Sequence, residues 1–207
     1  MSKSGNHAQG ITDMLLPYLP DGGVLLDVGG NVGKVTACVK RARPDVTVHL
    51  FEPVPLFFAK AHERLFGIDG IKMCNIGLSD VPGKATIWTV DPRNIGWSTL
   101  DKSYATDEMV KHEVTLMRLD DYPVERIDAI KLDVEYWEGK VLKGGRRTID
   151  KHRPVILTEL SRGSEDLWWE RVGEMERLFE IGYQRIDYLV SKKERKDVLL
   201  VPGEKAI

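Results

Sequence analysis

Three stretches of the 207-residue chain combine residue types and spacings that can do chemistry. The first, Leu25-Leu26-Asp27-Val28-Gly29-Gly30-Asn31-Val32-Gly33, is an apolar run that passes an acid and enters a glycine-rich turn. A buried strand leading through such a turn into a helix lets a ligand approach the backbone, because glycine has no side chain to hold it off. A dinucleotide fingerprint G-x-G-x-x-G beginning at Gly29 needs glycine at positions 31 and 34, where the chain has Asn31 and Lys34. The pattern acid-x-Gly-x-(Gly/Asn)-x-Gly is met by Asp27, Gly29, Asn31 and Gly33. The second feature is Glu52, nineteen residues after Gly33 and at the end of the next apolar run. An acid there faces the crevice of a parallel sheet and accepts hydrogen bonds from ribose hydroxyls, so it marks a nucleoside without naming the cofactor. The third is Lys131, Asp133 and Glu135, charged at alternate positions in Ile127 to Val134 and just beyond. Period two puts all three on one side of a strand, which is unusual for a central strand buried on both faces. A buried ion pair or a charged strand end is one account, and a crevice site is the other, since unpaired buried charge is costly.

The glycine pattern resembles that of S-adenosylmethionine-dependent methyltransferases, and a longer set of matches resembles the FkbM family of methyltransferases in particular. That family's pattern, roughly K-(I/L)-D-(V/I)-E-G-x-E-x-x-V-L-x-G and then a strand ending in Glu, is met by Lys131, Asp133, Glu135, Glu138, Val141, Leu142, Gly144 and Val155 to Glu159. Asp27 to Gly33, Phe51-Glu52-Pro53, Gly77-Leu78-Ser79-Asp80 with Gly83, Ser98-Thr99-Leu100 and Leu119-Asp120-Asp121 match as well, in the family's order from about residue 24 to 160. Tyr136 stands where the family usually has Gly, and Trp137 where it has a small residue.

The resemblance implies a Rossmann-like class I methyltransferase fold and O-methylation of a small-molecule hydroxyl, on a sugar or a natural-product intermediate, with S-adenosyl-L-methionine as cofactor. Cofactor contacts then fall to Asp27, Gly29, Gly30, Asn31, Gly33 and Glu52, with the adenine near Gly77, Leu78 and Ser79, and Asp133 facing the methionine end or the acceptor. An acid such as Asp27 orders the amino-acid end directly or through water, while N–H groups at the helix start receive its carboxylate. A hydroxyl acceptor must lose a proton, and Asp133 and Glu135 rank first as base, then Glu159, with Lys131 as charge partner. The same Asp133, Glu135 and Glu159 are an oxygen set that a hard divalent cation would accept, although a metal is not favoured. His112 and His152 are lesser alternatives as base. Trp97, Ser98, Thr99, Tyr136 and Trp137 are the expected acceptor contacts, against a plain packing role for each.

These residues need an α/β scaffold. Short β-branched runs alternate with helix-period segments, which implies parallel strands joined by right-handed helical crossovers. A leading helix is expected over residues 7–19, then strands Val24 to Val28, Thr47 to Phe51 and Ile71 to Leu78, with helices from about Asn31 to Ala42 and from the Pro53–Pro55 start to Phe66. Residues 80–123 break the rhythm with strand-like Ala85 to Val90 and Val114 to Leu119, an insertion expected to carry specificity. Strands Ala129 to Val134 and Val155 to Glu159, helices from Trp137 and over Glu165 to Phe179, and an antiparallel hairpin of Tyr183 to Val190 with Val198 to Val201 complete a mostly parallel sheet covered on both faces. Residues 1–207 read as a single domain.

Composition sets the outer limits. With 30 basic against 32 acidic residues the net charge is −2, which argues against non-specific nucleic-acid binding and for a small-molecule partner. The Lys192, Lys193, Arg195, Lys196 run reads as a solvated turn, and the Asn/Asp-Pro-Pro-aromatic turn of amino-group methylases is replaced by Asp133-Val134-Glu135-Tyr136. No run approaches the roughly 18 apolar residues of a membrane span, and the first ten residues lack the order of a secretory signal, so a cytoplasmic location is expected. Cys38 and Cys74 lack metal-site spacing and are expected as buried reduced thiols. The rival readings are an NAD-dependent oxidoreductase, disfavoured by Asn31 and Lys34, and a non-catalytic nucleoside-binding module.

Overall fold

The computed structural model describes residues 3–90, 98–160, 165–188 and 196–206. In chain order the first half runs α1 (Lys3–Leu15), β1 (Val24–Val28), α2 (Lys34–Ala42), β2 (Thr47–Phe51), α3 (Pro55–Leu65), β3 (Ile71–Cys74), β4 (Gly77–Leu78), β5 (Gly83–Thr89) and β6 (Ser98–Thr99). It continues with β7 (Val110–Met117), β8 (Ala129–Leu132), α4 (Glu138–Gly144), α5 (Arg146–His152), β9 (Val155–Leu160), α6 (Glu165–Glu180), β10 (Tyr183–Tyr188) and β11 (Lys196–Pro202).

The main sheet has the order β3-β2-β1-β8-β9-β11-β10. Its first five strands are parallel, and β11 runs antiparallel to both β9 and β10. Alternation along β1 sends Leu26 and Val28 into one core with Val141, Leu142, Ile149 and Leu178, and Leu25 into another with Ile11, Leu15, Val35 and Val39. Each face is therefore covered by helices, as the α/β rhythm requires. The register places Asp27 beside Lys131 on the neighbouring strand, both on the side of α1 and α2.

Three differences from the sequence reading matter for the site. The helix expected from Asn31 begins at Lys34, because Asn31 (φ 50°) and Gly33 (φ 74°) are left-handed and hold residues 31–33 in a turn. The strand expected over Ile71 to Leu78 divides: β3 stays in the main sheet, while β4 leaves it to pair with β7. Asn75 sits at the break and donates its side-chain N–H to the carbonyls of Glu52 (2.8 Å) and Pro53 (3.1 Å). The strand expected to reach Val134 stops at Leu132, so Asp133 and Glu135 belong to a connecting turn and the period-two argument does not apply to them.

The insertion, joined by β4 from just before it, forms a second sheet, β4-β7-β5-β6, seated through Ile87, Val114 and Leu116 on Val32, Val54 and Phe57. It thereby stands over the carboxyl ends of β1 and β2. Lys192, Lys193 and Arg195 of the basic run fall outside the described residues, as does Trp97. Both cysteines are free thiols, but each is only partly buried, packed at the edge of a core and not inside it; no described helix is long and apolar enough to cross a membrane.

Candidate active site

The glycine turn is built by close backbone approach. Gly29 and Gly30 both donate their N–H to the Phe51 carbonyl (3.0 and 2.9 Å), tying the turn to the end of β2. Gly29 is left-handed (φ 73°), and a Cβ there would lie 1.9 Å from the Asp133 carbonyl oxygen, so both conformation and space demand glycine. Asn31 donates its backbone N–H to Glu52 Oε2 (2.9 Å), and Val54 donates to Oε1 (2.8 Å). Glu52 thus clips the turn to the start of α3. Its carboxyl is 4% exposed, and burial raises it to about 7 despite those two N–H donors. Each oxygen has two lone pairs, so acceptor capacity remains after the two backbone bonds.

Beside this clip runs a chain of charge. Asp27 is fully buried, accepts from Thr36 Oγ1 (2.6 Å) and lies 3.4 Å from Lys131 Nζ. Lys131 donates to the Gly29 carbonyl (2.7 Å) and reaches Asp133 Oδ2 at 3.5 Å. Burial disfavours the ammonium, but Asp133 and Asp27 on either side outweigh it and raise the Lys131 pKa. Asp27 exposes no surface of its own, and its link to the second recess runs through Lys131, which lines that recess. Asp133, with its side chain 34% exposed, is the member of the chain open to solvent.

Two recesses flank the turn. One, about 660 Å³ including its mouth, is lined by Glu52, Gly77 and Leu78, by Asp133, Glu135 and Trp137, and by Ile87, Ser98 and Leu100 of the insertion. The other, about 620 Å³ with its mouth, lies between α1 and the turn and takes in His7, Ile11, Lys34 and Lys131. Gly29, Asn31 and Asp133 border both.

The expected site residues divide accordingly. Gly29, Asn31, Glu52, Gly77, Leu78, Ser98, Asp133, Glu135 and Trp137 line the first recess, and Gly30 and Lys131 the second. Gly33 is not at either recess and serves the start of α2, where a Cβ would press Leu65 (2.9 Å). Ser79 is buried behind the wall and accepts from Trp137 Nε1 (3.2 Å). Thr99 is buried and accepts from the Asp101 N–H (3.0 Å). Tyr136 does not line the recess; its ring stacks on Tyr104. Its φ of 78° gives the physical reason why glycine suits this position. Glu159 is buried where β9 meets β11, opposite Asp197, and lines neither recess. Asp133, Glu135 and Glu159 are therefore not gathered as a cation site, and no three His, Cys, Asp or Glu among the described residues form one. His112 meets Thr89 Oγ1 (3.0 Å) inside the second sheet, and His152 ends α5; neither borders a recess.

Sequence reasoning missed the second recess with His7 and Lys34, and a buried ion pair behind the Asp133–Trp137 turn. Glu138 and Arg171, 1% and 2% exposed, meet at 3.1 Å, and the other Glu138 oxygen accepts from the Val134 N–H (3.3 Å). Burial raises the Glu138 pKa, with Arg171 opposing. Glu138 stood in the family pattern, but nothing in the sequence linked it to Arg171.

The chain is similar to "Methyltransferase 1" of Beauveria bassiana, 29% identical over 195 residues and covering 82% of this chain and 77% of that one. It is similar to "2-O-methyltransferase NoeI" of Sinorhizobium fredii, 28% identical over 162 residues, with 67% and 63% covered. Among solved structures, the methyltransferase FkbM of Methylobacillus flagellatus matches with a TM-score of 0.61 at 17% identity, over 86% of this chain and 43% of that one. SMU.1697c of Streptococcus mutans, in complex with SAH, matches with a TM-score of 0.59 at 11% identity, over 93% and 95%. The fold is that of class I methyltransferases. Residues 27–188 match the Methyltransferase FkbM domain, and with the glycine turn, Glu52 and the Lys131–Asp133 turn in place, the chain belongs to the FkbM methyltransferase family.

Proposed function

We propose that this protein is an S-adenosylmethionine-dependent O-methyltransferase acting on a hydroxyl of a small molecule. The observation that carries the reading is the pair of recesses meeting at Gly29, Asn31 and Asp133, with the Glu52 carboxylate in the first and Lys34 in the second. The donor set fits the cofactor: remaining Glu52 lone pairs suit ribose hydroxyls, Gly77 and Leu78 offer a wall for the adenine, and Lys34 and the turn suit the amino-acid carboxylate. When bound, S-adenosylmethionine supplies a methyl group carried on a sulfonium, whose positive charge suits the acidic junction at Asp133.

The chain's own residues supply alignment and a proton acceptor. The Gly29–Asn31 turn and Glu52 fix one reactant relative to the other, which is the main gain in an in-line displacement. Asp133 and Glu135 are the carboxylates at the first recess able to take the acceptor proton, and Lys131 is the counter-charge of Asp133. Trp137 and Leu100 give the recess apolar lining that disfavours water beside the reacting groups. NoeI's name, a 2-O-methyltransferase, supports oxygen as the acceptor atom. Calorimetric titration with S-adenosylhomocysteine and with NAD tests the reading. Micromolar S-adenosylhomocysteine binding, lost in Glu52→Ala and absent for NAD, is expected, whereas NAD binding alone would replace it with a nicotinamide enzyme.

A further inference from the structure

The turn between β8 and α4 contains two consecutive non-glycine residues in the left-handed region, Glu135 (φ 48°) and Tyr136 (φ 78°). A tyrosine is strained there, because its Cβ crowds the adjoining carbonyl, and such strain persists only where the surroundings enforce it. The backbone on either side is held: Asp133 N–H donates to the Val28 carbonyl (3.2 Å), Val134 N–H to Glu138 Oε1 (3.3 Å) and Trp137 N–H to the Val134 carbonyl (3.4 Å). Tyr136 itself lies face to face with Tyr104, ring centroids 4.9 Å apart and planes 26° apart. Tyr104 ends a short 3₁₀ turn, Lys102–Tyr104, four residues after Leu100. Leu100 and Ser98 are the insertion's share of the lining of the first recess near Tyr104, and Asp133, Glu135 and Trp137 are the turn's share. The stack therefore joins the insertion to the turn at its strained residue.

We propose that Tyr136, clamped by Tyr104, is a positioning residue that holds the Asp133–Trp137 turn in the conformation presenting Asp133, Glu135 and Trp137 to the recess, so that the insertion controls the shape of the site. Tyr136 touches no ligand in this role. The inference extends the proposed function, since only its binding readout rests on the cofactor reading.

The test exploits glycine's freedom at φ 78°, where it needs no clamp. Wild type, Tyr104→Phe, Tyr104→Ala, Tyr136→Gly and the Tyr104→Ala/Tyr136→Gly double variant are compared by S-adenosylhomocysteine calorimetry and, without ligand, by hydrogen exchange of the peptide covering residues 133–137. Tyr104→Ala is expected to weaken binding about five- to tenfold and to speed exchange about tenfold, while Tyr104→Phe, which keeps the ring, matches wild type. Adding Tyr136→Gly to Tyr104→Ala is expected to bring affinity back to within about twofold of wild type, a recovery that loss of packing would not give. Unchanged exchange in Tyr104→Ala, or a double variant that binds no better than the single one, overturns the clamp. Should the wild-type protein not bind S-adenosylhomocysteine, the cofactor reading falls, and the exchange contrast between Tyr104→Ala and Tyr104→Phe still decides the clamp.

Discussion

Replacing Arg171 by Met removes the guanidinium and leaves the Glu138 carboxylate, 1% exposed, with the Val134 N–H at 3.3 Å. Breaking a buried pair in this way costs about 3–5 kcal/mol, because the remaining charge stays out of water without its partner. That is a large share of the roughly 5–15 kcal/mol that holds a domain together. For a chain of this size the thermal midpoint falls about 2–4 °C per kcal/mol, so a drop of roughly 6–20 °C is expected. Burial already raises the Glu138 pKa with Arg171 present, and it rises further without it. A carboxyl whose folded pKa lies above its unfolded value is destabilising when charged, and the penalty fades as pH falls toward the unfolded value. The deficit of Arg171→Met is thus largest at pH 7.5 and smaller at pH 5, and Glu138→Gln/Arg171→Met, which has no charge to bury, recovers most of it. Urea unfolding followed by circular dichroism at both pH values measures each term. A single variant within about 1 kcal/mol of wild type at pH 7.5, an equal deficit at both pH values, or a double variant no better than the single one would refute the reasoning.

The glycine turn yields two further expected outcomes. The Glu52 carboxyl, raised by burial from 4.5 to about 7, favours the folded state while protonated, and that contribution is lost as pH rises through 7. The change is about 3 kcal/mol across this window, so wild type should lose stability between pH 5 and 8 relative to Glu52→Gln in urea unfolding; parallel pH profiles would show that Glu52 is not the titrating group. Gly29→Ala places a Cβ 1.9 Å from the Asp133 carbonyl at φ 73°, whereas Gly67→Ala has a similar φ of 75° and open space around it. Gly67→Ala should cost about 1 kcal/mol, and Gly29→Ala should yield no folded protein or a midpoint lower by more than about 10 °C. Equal melting of the two variants would mean that backbone conformation, not the approach of Asp133, demands glycine at 29.

Much of the scaffold was legible because its causes are local. The β1 run, the Pro55 start of α3, the helical spacing of α6 and the turn before β1 are written in short stretches of sequence. Glu52 was legible for the same reason: a strand end and a proline fix its place. The boundary errors fall where a tertiary partner wins over local pattern. Ile71 to Leu78 is apolar enough for one strand, yet β7 captures its second half. Lys131, Asp133 and Glu135 alternate like strand residues, yet the strand ends after Leu132, and left-handed backbone at 135–136 redirects the chain into α4. Glu159 ranked as a base because it ends a strand, and burial against β11 keeps it from the recess.

The sequence by itself determined the strand-turn-helix that opens the sheet, the acid at the end of the next strand and the family pattern around them, since each depends on residues a few positions apart. Only the tertiary structure decided which charges do what. Asp27 is enclosed as a partner of Lys131, Arg171 pairs with Glu138, 33 residues away, and an insertion brings Tyr104 onto the ring of Tyr136. Those outcomes depend on burial and on partners distant along the chain, and desolvation fixes the cost of every charge only once its neighbours are in place.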